Sequence, residues 1–186
     1  YTSIILFFFI TLMYLYSFIM IIGLIIAIVI LWIEFYALIS KIFTKNTFKD
    51  KLFRSFYKAL SLLYLLFLLF FILVILTNYE NLKVFLFYSF IVAILSDVGG
   101  LVVGKIFKGK KLTKISPNKT VSGSIGSFIF SLFLIPFFYD KITDYSFLIL
   151  ILITVLICLI TQLGDLFISY IKRKAKVKNT SNLLPG

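Results

Sequence analysis

The chain contains no histidine and a single cysteine, Cys158. The first absence removes imidazole as a general base and argues against a zinc site. The second excludes a disulfide within the chain, and Cys158 lies in an apolar run where a small core residue is expected. Acids are also scarce, with seven Asp and Glu against 19 Lys and Arg, for a formal net charge of +12. Any catalysis must therefore use carboxylates, lysine, arginine, hydroxyls, or a hard metal held by oxygen.

Apolar residues are what the chain has in plenty. They make up 62% of its 186 residues, 23 of them Phe, and the mean hydropathy is +1.13. A soluble domain of this size could not bury so much apolar surface, so an all-α polytopic integral membrane protein is expected. Five apolar stretches can be read: Thr2 to Ile39, Ala59 to Leu76, Leu82 to Val103, Val121 to Phe138 and Ser146 to Tyr170. At ~1.5 Å per residue the first exceeds a ~30 Å hydrocarbon core. Two short helices meeting near Ser17 are expected there in preference to one long tilted helix, giving about five to six transmembrane helices. The expected organisation is one transmembrane domain, 1–186. Its first part, 1–58, holds the N-terminal helices and a basic loop, and 59–186 holds the helices with the chemistry. The chain is expected to be a fragment of a longer protein at one or both ends, and its first apolar run lacks the pattern of a cleavable signal peptide.

The basic residues cluster. Lys41, Lys45, Lys49, Lys51, Arg54 and Lys58 fall in the first polar loop, and Lys105, Lys108, Lys110, Lys111, Lys114 and Lys119 in the third. Lys172, Arg173, Lys174, Lys176 and Lys178 fall in the tail, leaving Lys83 and Lys141 for the second and fourth loops. Alternate loops share a side if each later stretch crosses once, so the positive-inside rule makes the three basic regions cytoplasmic. The excess charge then reports topology and attraction to anionic lipid, with no nucleic acid as partner. Trp32, Tyr36, Tyr79, Tyr139 and Tyr145 sit near expected interfaces. Gly100 and Gly104 form a small-residue pair suited to close helix packing, and Pro136 is expected to end or kink the fourth span.

Three acids lie within or at the edge of apolar runs: Glu34, Asp97 and Asp165. A carboxylate at membrane depth is costly unless paired or bound to metal, so each is a functional candidate. The ordinary alternative is an ion pair with a nearby lysine, favoured for Glu34. Ser116-Pro117-Asn118-Lys119-Thr120 opens the fourth span. Pro117 suits a first helical turn, with Ser116 as the expected N-cap, and helix-start amides with a lysine and hydroxyls make an anion site. Gly104 to Lys110 has the spacing of a phosphate-binding loop, but no Ser or Thr follows the lysine and a membrane helix precedes it, so that reading is rejected. In the tail, Asp165, Ser169 and Lys172 share a helix face with Arg173 at its edge, an arrangement suited to a metal-bound polyphosphate.

The segments SDVGGLVVGKIFKGKKL, ISPNKTVSG and GDLFISYIKRKAKVKNTSNLLPG together resemble the phosphatidate cytidylyltransferase (CDP-diacylglycerol synthase) family. Ser116, Pro117, Lys119 and Thr120 fall on one family motif. Ser169, Lys172, Arg173, Lys178, Ser181, Pro185 and Gly186 fall on the other, and the IEFY around Glu34 is similar to a third feature. Two departures stand out. Asn179 replaces the Asp of a Lys-Asp pair, and Ser122 replaces a Glu. The family's following His-Gly-Gly and later aspartates lie past Gly186, and without them the chain is expected to be inactive.

The resemblance implies transfer of a cytidylyl group from CTP to phosphatidate, giving CDP-diacylglycerol and pyrophosphate, with Mg²⁺ as cofactor. It implies Asp97, Asp165 and Lys119 as catalytic residues and Asp97, Asp165 and Asn179 as metal ligands. Ser116, Thr120, Ser169, Lys172, Arg173, Lys178 and Ser181 would contact phosphates or nucleotide. The expected setting is a bacterial inner membrane with the site facing the cytoplasm, anionic lipid nearby, and a homodimer compatible with the sequence. Rival readings are a small cation-coupled transporter, a membrane scaffold and a lipid kinase using CTP. The transporter leaves Ser116 to Thr120 unexplained, the scaffold leaves the three membrane acids unexplained, and the kinase would release CDP.

Overall fold

The computed structural model describes residues 16–45, 47–113, 115–142 and 146–177. Among them the protein is all-α apart from one isolated β-bridge. Among the described residues, five helical segments are long and apolar enough to cross a bilayer: Phe18–Ile42, Phe48–Asn78, Leu82–Phe107, Val121–Lys141 and Phe147–Lys174. The protein is an integral membrane protein, as the composition requires. The described residues fall into two compact units, one holding the first two helices and the other residues 81–173.

In the first unit, α1 (Ser17–Ile42) starts at the residue where the sequence suggested a junction; residues before Tyr16 lie outside those described. Helix α2 (Phe48–Asn78) begins eleven residues ahead of the apolar run that foretold it. Lys49, Lys51, Arg54 and Lys58, read from charge as loop, are helical. Lys and Arg are good helix formers whose long stems lie along apolar surface while the charge reaches water. Thr47 caps this helix, accepting from the Asp50 N–H at 3.4 Å. Phe43 in the short connection stacks on Tyr57 with centroids 5.7 Å apart, and Lys58 Nζ lies 3.3 Å from the centre of the Tyr36 ring. Both contacts bind α1 to α2.

The second unit contains α3 (Glu80–Phe107), α4 (Val121–Leu132), the short α5 (Ile135–Phe138) and α6 (Phe147–Lys174). The fourth span is therefore broken, with Pro136 in the first turn of α5 where its missing N–H costs nothing. Large side chains fill one end of the unit, where Tyr88, Val92, Leu134, Ile135, Ile142 and Leu150 form a buried cluster. The Tyr88 hydroxyl bonds Thr154 of α6. Toward the other end the side chains shrink. A methyl on Gly99 would lie 2.6 Å from the Gly126 carbonyl oxygen, and one on Gly123 would lie 2.7 Å from that of Gly100. Only glycine lets α3 and α4 come this close, as the small-residue spacing suggested.

The connection from α3 to α4 is pinned rather than loose. Lys111 and Thr120 form the β-bridge, with Leu112 N–H donating to Lys119 O and Val121 N–H to Lys110 O, both at 2.8 Å. Thr120, not Ser116, is the N-cap of α4. Its side chain accepts from the Gly123 N–H at 3.1 Å. Ser116 instead opens a turn closed by the Lys119 N–H on its carbonyl at 3.1 Å, and Pro117 takes the turn position that favours its fixed φ. The bridge draws Thr120 onto the helix start, which a local hydroxyl-proline pattern cannot reveal.

Candidate active site

Helices α3, α4 and α6 of the second unit surround a cavity of about 650 Å³, within the size range of small-molecule sites. It lies toward the end of this unit that carries the basic connection 108–120, Lys172 and Arg173. Asp97 reaches it from α3, and Asp165 from α6. Ser116, Lys119 and Thr120 reach it from the pinned turn and the cap. Five residues nominated from sequence thus converge on one space from three separate parts of the chain.

The electrostatic centre is an ion pair. Lys119 Nζ lies 2.8 Å from Asp165 Oδ2, with side-chain exposures of 29% and 50%. For Asp165 the lysine partner weighed as the ordinary alternative is present, and that partner is the lysine of the motif itself. Asp97 is exposed to the same cavity, so two carboxylates and two lysines, Lys105 and Lys119, share it. Such a set has the chemistry to take a cation on its acids and a polyanion on its amines.

Ser169 and Lys172 lie one and two turns beyond Asp165 on α6, outside the cavity lining. Arg173 Nε donates to the Ile115 carbonyl at 3.4 Å, so this side chain touches the backbone that leads into Ser116. Lys178, Asn179 and Ser181 lie outside the described residues. Glu34 belongs to α1 in the other unit. Ser122, standing where the resemblance expects Glu, accepts from the Gly109 N–H at 3.2 Å and closes the base of the connection.

Sequence reasoning missed a polar layer beneath the charges. Gln162 bonds Ser124 through both its amide oxygen and its amide nitrogen, and its Nε2 lies 3.4 Å from Cys158 Sγ. Cys158 in turn meets Ser96 Oγ at 3.4 Å, and Ser127 Oγ donates to the Ser96 carbonyl at 2.7 Å. The layer ties all three helices together directly beside Asp97 and Asp165. A signal was present, because Thr154, Cys158, Gln162, Asp165, Ser169 and Lys172 recur at three- and four-residue steps on one face of α6.

A family model described as the cytidylyltransferase family matches residues 1–186. The chain belongs to the cytidylyltransferase family. The phosphatidate cytidylyltransferase of Staphylococcus haemolyticus is 38% identical over 105 residues, covering 55% of this chain and 40% of that protein. Those of Bacillus subtilis and Rickettsia typhi are 38% identical over 104 residues and 37% identical over 117. They are covered over 39% and 50% of their lengths, for 55% and 58% of this chain. The match spans about half or less of each of these relatives. No solved structure matches.

For a cytidylyltransferase-family member the donor set can be tested against Mg²⁺. Among the described residues no three His, Cys, Asp or Glu side chains form a metal cluster. Mg²⁺ seldom needs one, because it takes oxygen ligands, keeps several waters and binds through one or two carboxylates plus substrate phosphates. Asp97 and Asp165, with hydroxyl and amide oxygens around them and no imidazole, fit that chemistry.

Proposed function

We propose that this chain carries part of a site that transfers a cytidylyl group from CTP to phosphatidate, releasing pyrophosphate and leaving CDP-diacylglycerol in the membrane. The observation that carries the reading is the meeting of Asp97, Asp165, Lys119 and Thr120 at one cavity in a member of this family. A phosphatidate oxygen would form a bond to the α-phosphorus of CTP while the bond to the β-phosphate oxygen breaks, the electron pair leaving with pyrophosphate. Both reactants are anions, so the barrier is largely electrostatic. Lys119 and Lys105 would neutralise phosphate oxygens, and the Ser116 and Thr120 hydroxyls would orient them. Asp97 and Asp165 would hold Mg²⁺, which supplies Lewis-acid stabilisation of the charge developing on the leaving group. Arg173 would act by steadying the backbone before Ser116.

We further infer that the cavity faces the cytoplasm of a bacterial inner membrane. The basic residues between α3 and α4 and at the end of α6 sit on the cavity's side, which the positive-inside rule assigns to the cytoplasm. Anionic lipid, including the substrate, would be gathered there.

Product analysis tests the reading. The protein extended through the family's His-Gly-Gly and later aspartates, purified in detergent with phosphatidate, Mg²⁺ and CTP, should place label from the α-phosphate, but not the γ-phosphate, in the lipid product. Label from the γ-phosphate in lipid would instead make the protein a kinase. Cation flux in vesicles with no nucleotide binding would make it a transporter.

A further inference from the structure

The two side chains that suit opposite halves of a charged ligand are bonded to each other. Lys119, on the turn before α4, and Asp165, on α6, are 2.8 Å apart across the cavity wall. Each serves as the other's counter-ion. A polyphosphate that drew Lys119 away on its own would leave Asp165 unpaired and facing an anion, with Asp97 adding to the repulsion from the same cavity. A divalent cation that took Asp165 on its own would leave Lys119 unpaired and facing a cation. A cation–polyphosphate complex meets neither penalty, because it replaces both halves of the pair together.

We propose that the Lys119–Asp165 ion pair couples the two parts of the ligand, so that the site takes a divalent cation–triphosphate complex as a unit and either ion alone only weakly. This rests on the reading of the cavity as a nucleotide site and adds to it the form in which the nucleotide is taken. The coupling is reciprocal, since each ion must raise the affinity of the other by the same factor. Because the pair is partly exposed, its size belongs at the low end of such couplings, about fivefold.

The proposal gives one substitution effects of opposite sign. Removing the lysine charge should weaken the polyphosphate and strengthen the bare cation. The probe is Mn²⁺ alone, followed by electron paramagnetic resonance on the nucleotide-free protein. Lys119→Met and Lys119→Gln should each bind Mn²⁺ about fivefold more tightly than wild type, and Lys119→Arg, which keeps the pair, should stay within about twofold. Lys105→Met removes an equal charge from the same cavity outside the pair and should raise Mn²⁺ affinity by clearly less than the Lys119 variants do. The same Lys119 variants should bind α,β-methylene-CTP with Mg²⁺ more weakly than wild type. Unchanged Mn²⁺ affinity in both neutral variants would overturn the coupling, as would an equal gain in Lys105→Met, which would mark a general field effect. Failure of wild type to bind α,β-methylene-CTP with Mg²⁺ would remove the nucleotide reading itself. Normal nucleotide binding with equal Mn²⁺ affinities would remove only the coupling.

Discussion

The close approach of α3 and α4 makes Gly123→Ala the most informative structural perturbation. The added methyl would sit 2.7 Å from the Gly100 carbonyl oxygen and 3.4 Å from the Gly104 Cα. A relaxed carbon–oxygen contact is about 3.3 Å, so about 0.6 Å must be found between two backbones that have no rotamer to yield. Overpacking of this kind costs about 1–3 kcal/mol. The helices that would part carry Asp97 on one side and the cap after Lys119 on the other. Since a displacement of ~1 Å can cost ~10²-fold in rate, a loss of about tenfold or more in turnover is expected for this smaller shift. Gly164→Ala is the control, because nothing lies within 4 Å of a methyl there. It exchanges glycine for a better helix former and should hold or raise stability by up to ~1 kcal/mol. Thermal melting in detergent and cytidylyl transfer, measured on both variants in a protein carrying the complete family signature, decide the matter. A Gly123→Ala protein with wild-type melting and wild-type turnover would refute the argument that this contact sets the site.

Three further outcomes are expected. Asp97→Asn keeps the shape of an exposed side chain and removes its charge, so melting should hold while turnover falls by about 10²-fold or more; unchanged turnover would take Asp97 out of the chemistry. Thr120→Val removes the acceptor that caps α4 at the Gly123 N–H and should cost about 1 kcal/mol in melting, with Thr120→Ser recovering most of it. Tyr88→Phe deletes the buried hydroxyl contact to Thr154 and should lower stability by about 0.5–1.5 kcal/mol. A double-mutant cycle with Thr154→Val should show the two effects to be non-additive, and simple additivity would mean that the contact contributes nothing.

What was legible in the sequence follows from the range of the interactions involved. The spans could be read because each is set by its own run of apolar residues, and α6 (Phe147–Lys174) ends within a few residues of its expectation. Local patterns were read less well where one signal served two structures. The Lys-rich stretch ahead of Ala59 has the charge of a loop but the propensity of a helix, and at a membrane boundary both can be satisfied by a helix projecting into water. Ser116-Pro117 has the form of a helix start. It became a turn because Lys110 and Leu112 pair with Val121 and Lys119 from the other side of the connection.

The site divides along the same line, and the division explains its chemistry. Asp97, Lys119 and Asp165 could each be nominated alone, since a charge beside an apolar run requires a reason. Their pairing could not, because Lys119 and Asp165 are 46 residues apart and meet only when α4 and α6 pack. In lipid, that packing gains little from apolar burial and depends on close backbone approach and hydrogen bonds between helices. Between α3 and α4, Gly123 and Gly126 supply the first and Ser127 a hydrogen bond to Ser96, while Ser124 and Gln162 supply the hydrogen bonds between α4 and α6, all within three turns of the charges. The residues that let the helices associate are thus the ones that fix how far apart the charges stand. Changes to Gln162 or Ser124 should therefore disturb ligand affinity as well as stability, whereas changes in the Tyr88 to Leu150 cluster at the far end should disturb stability alone.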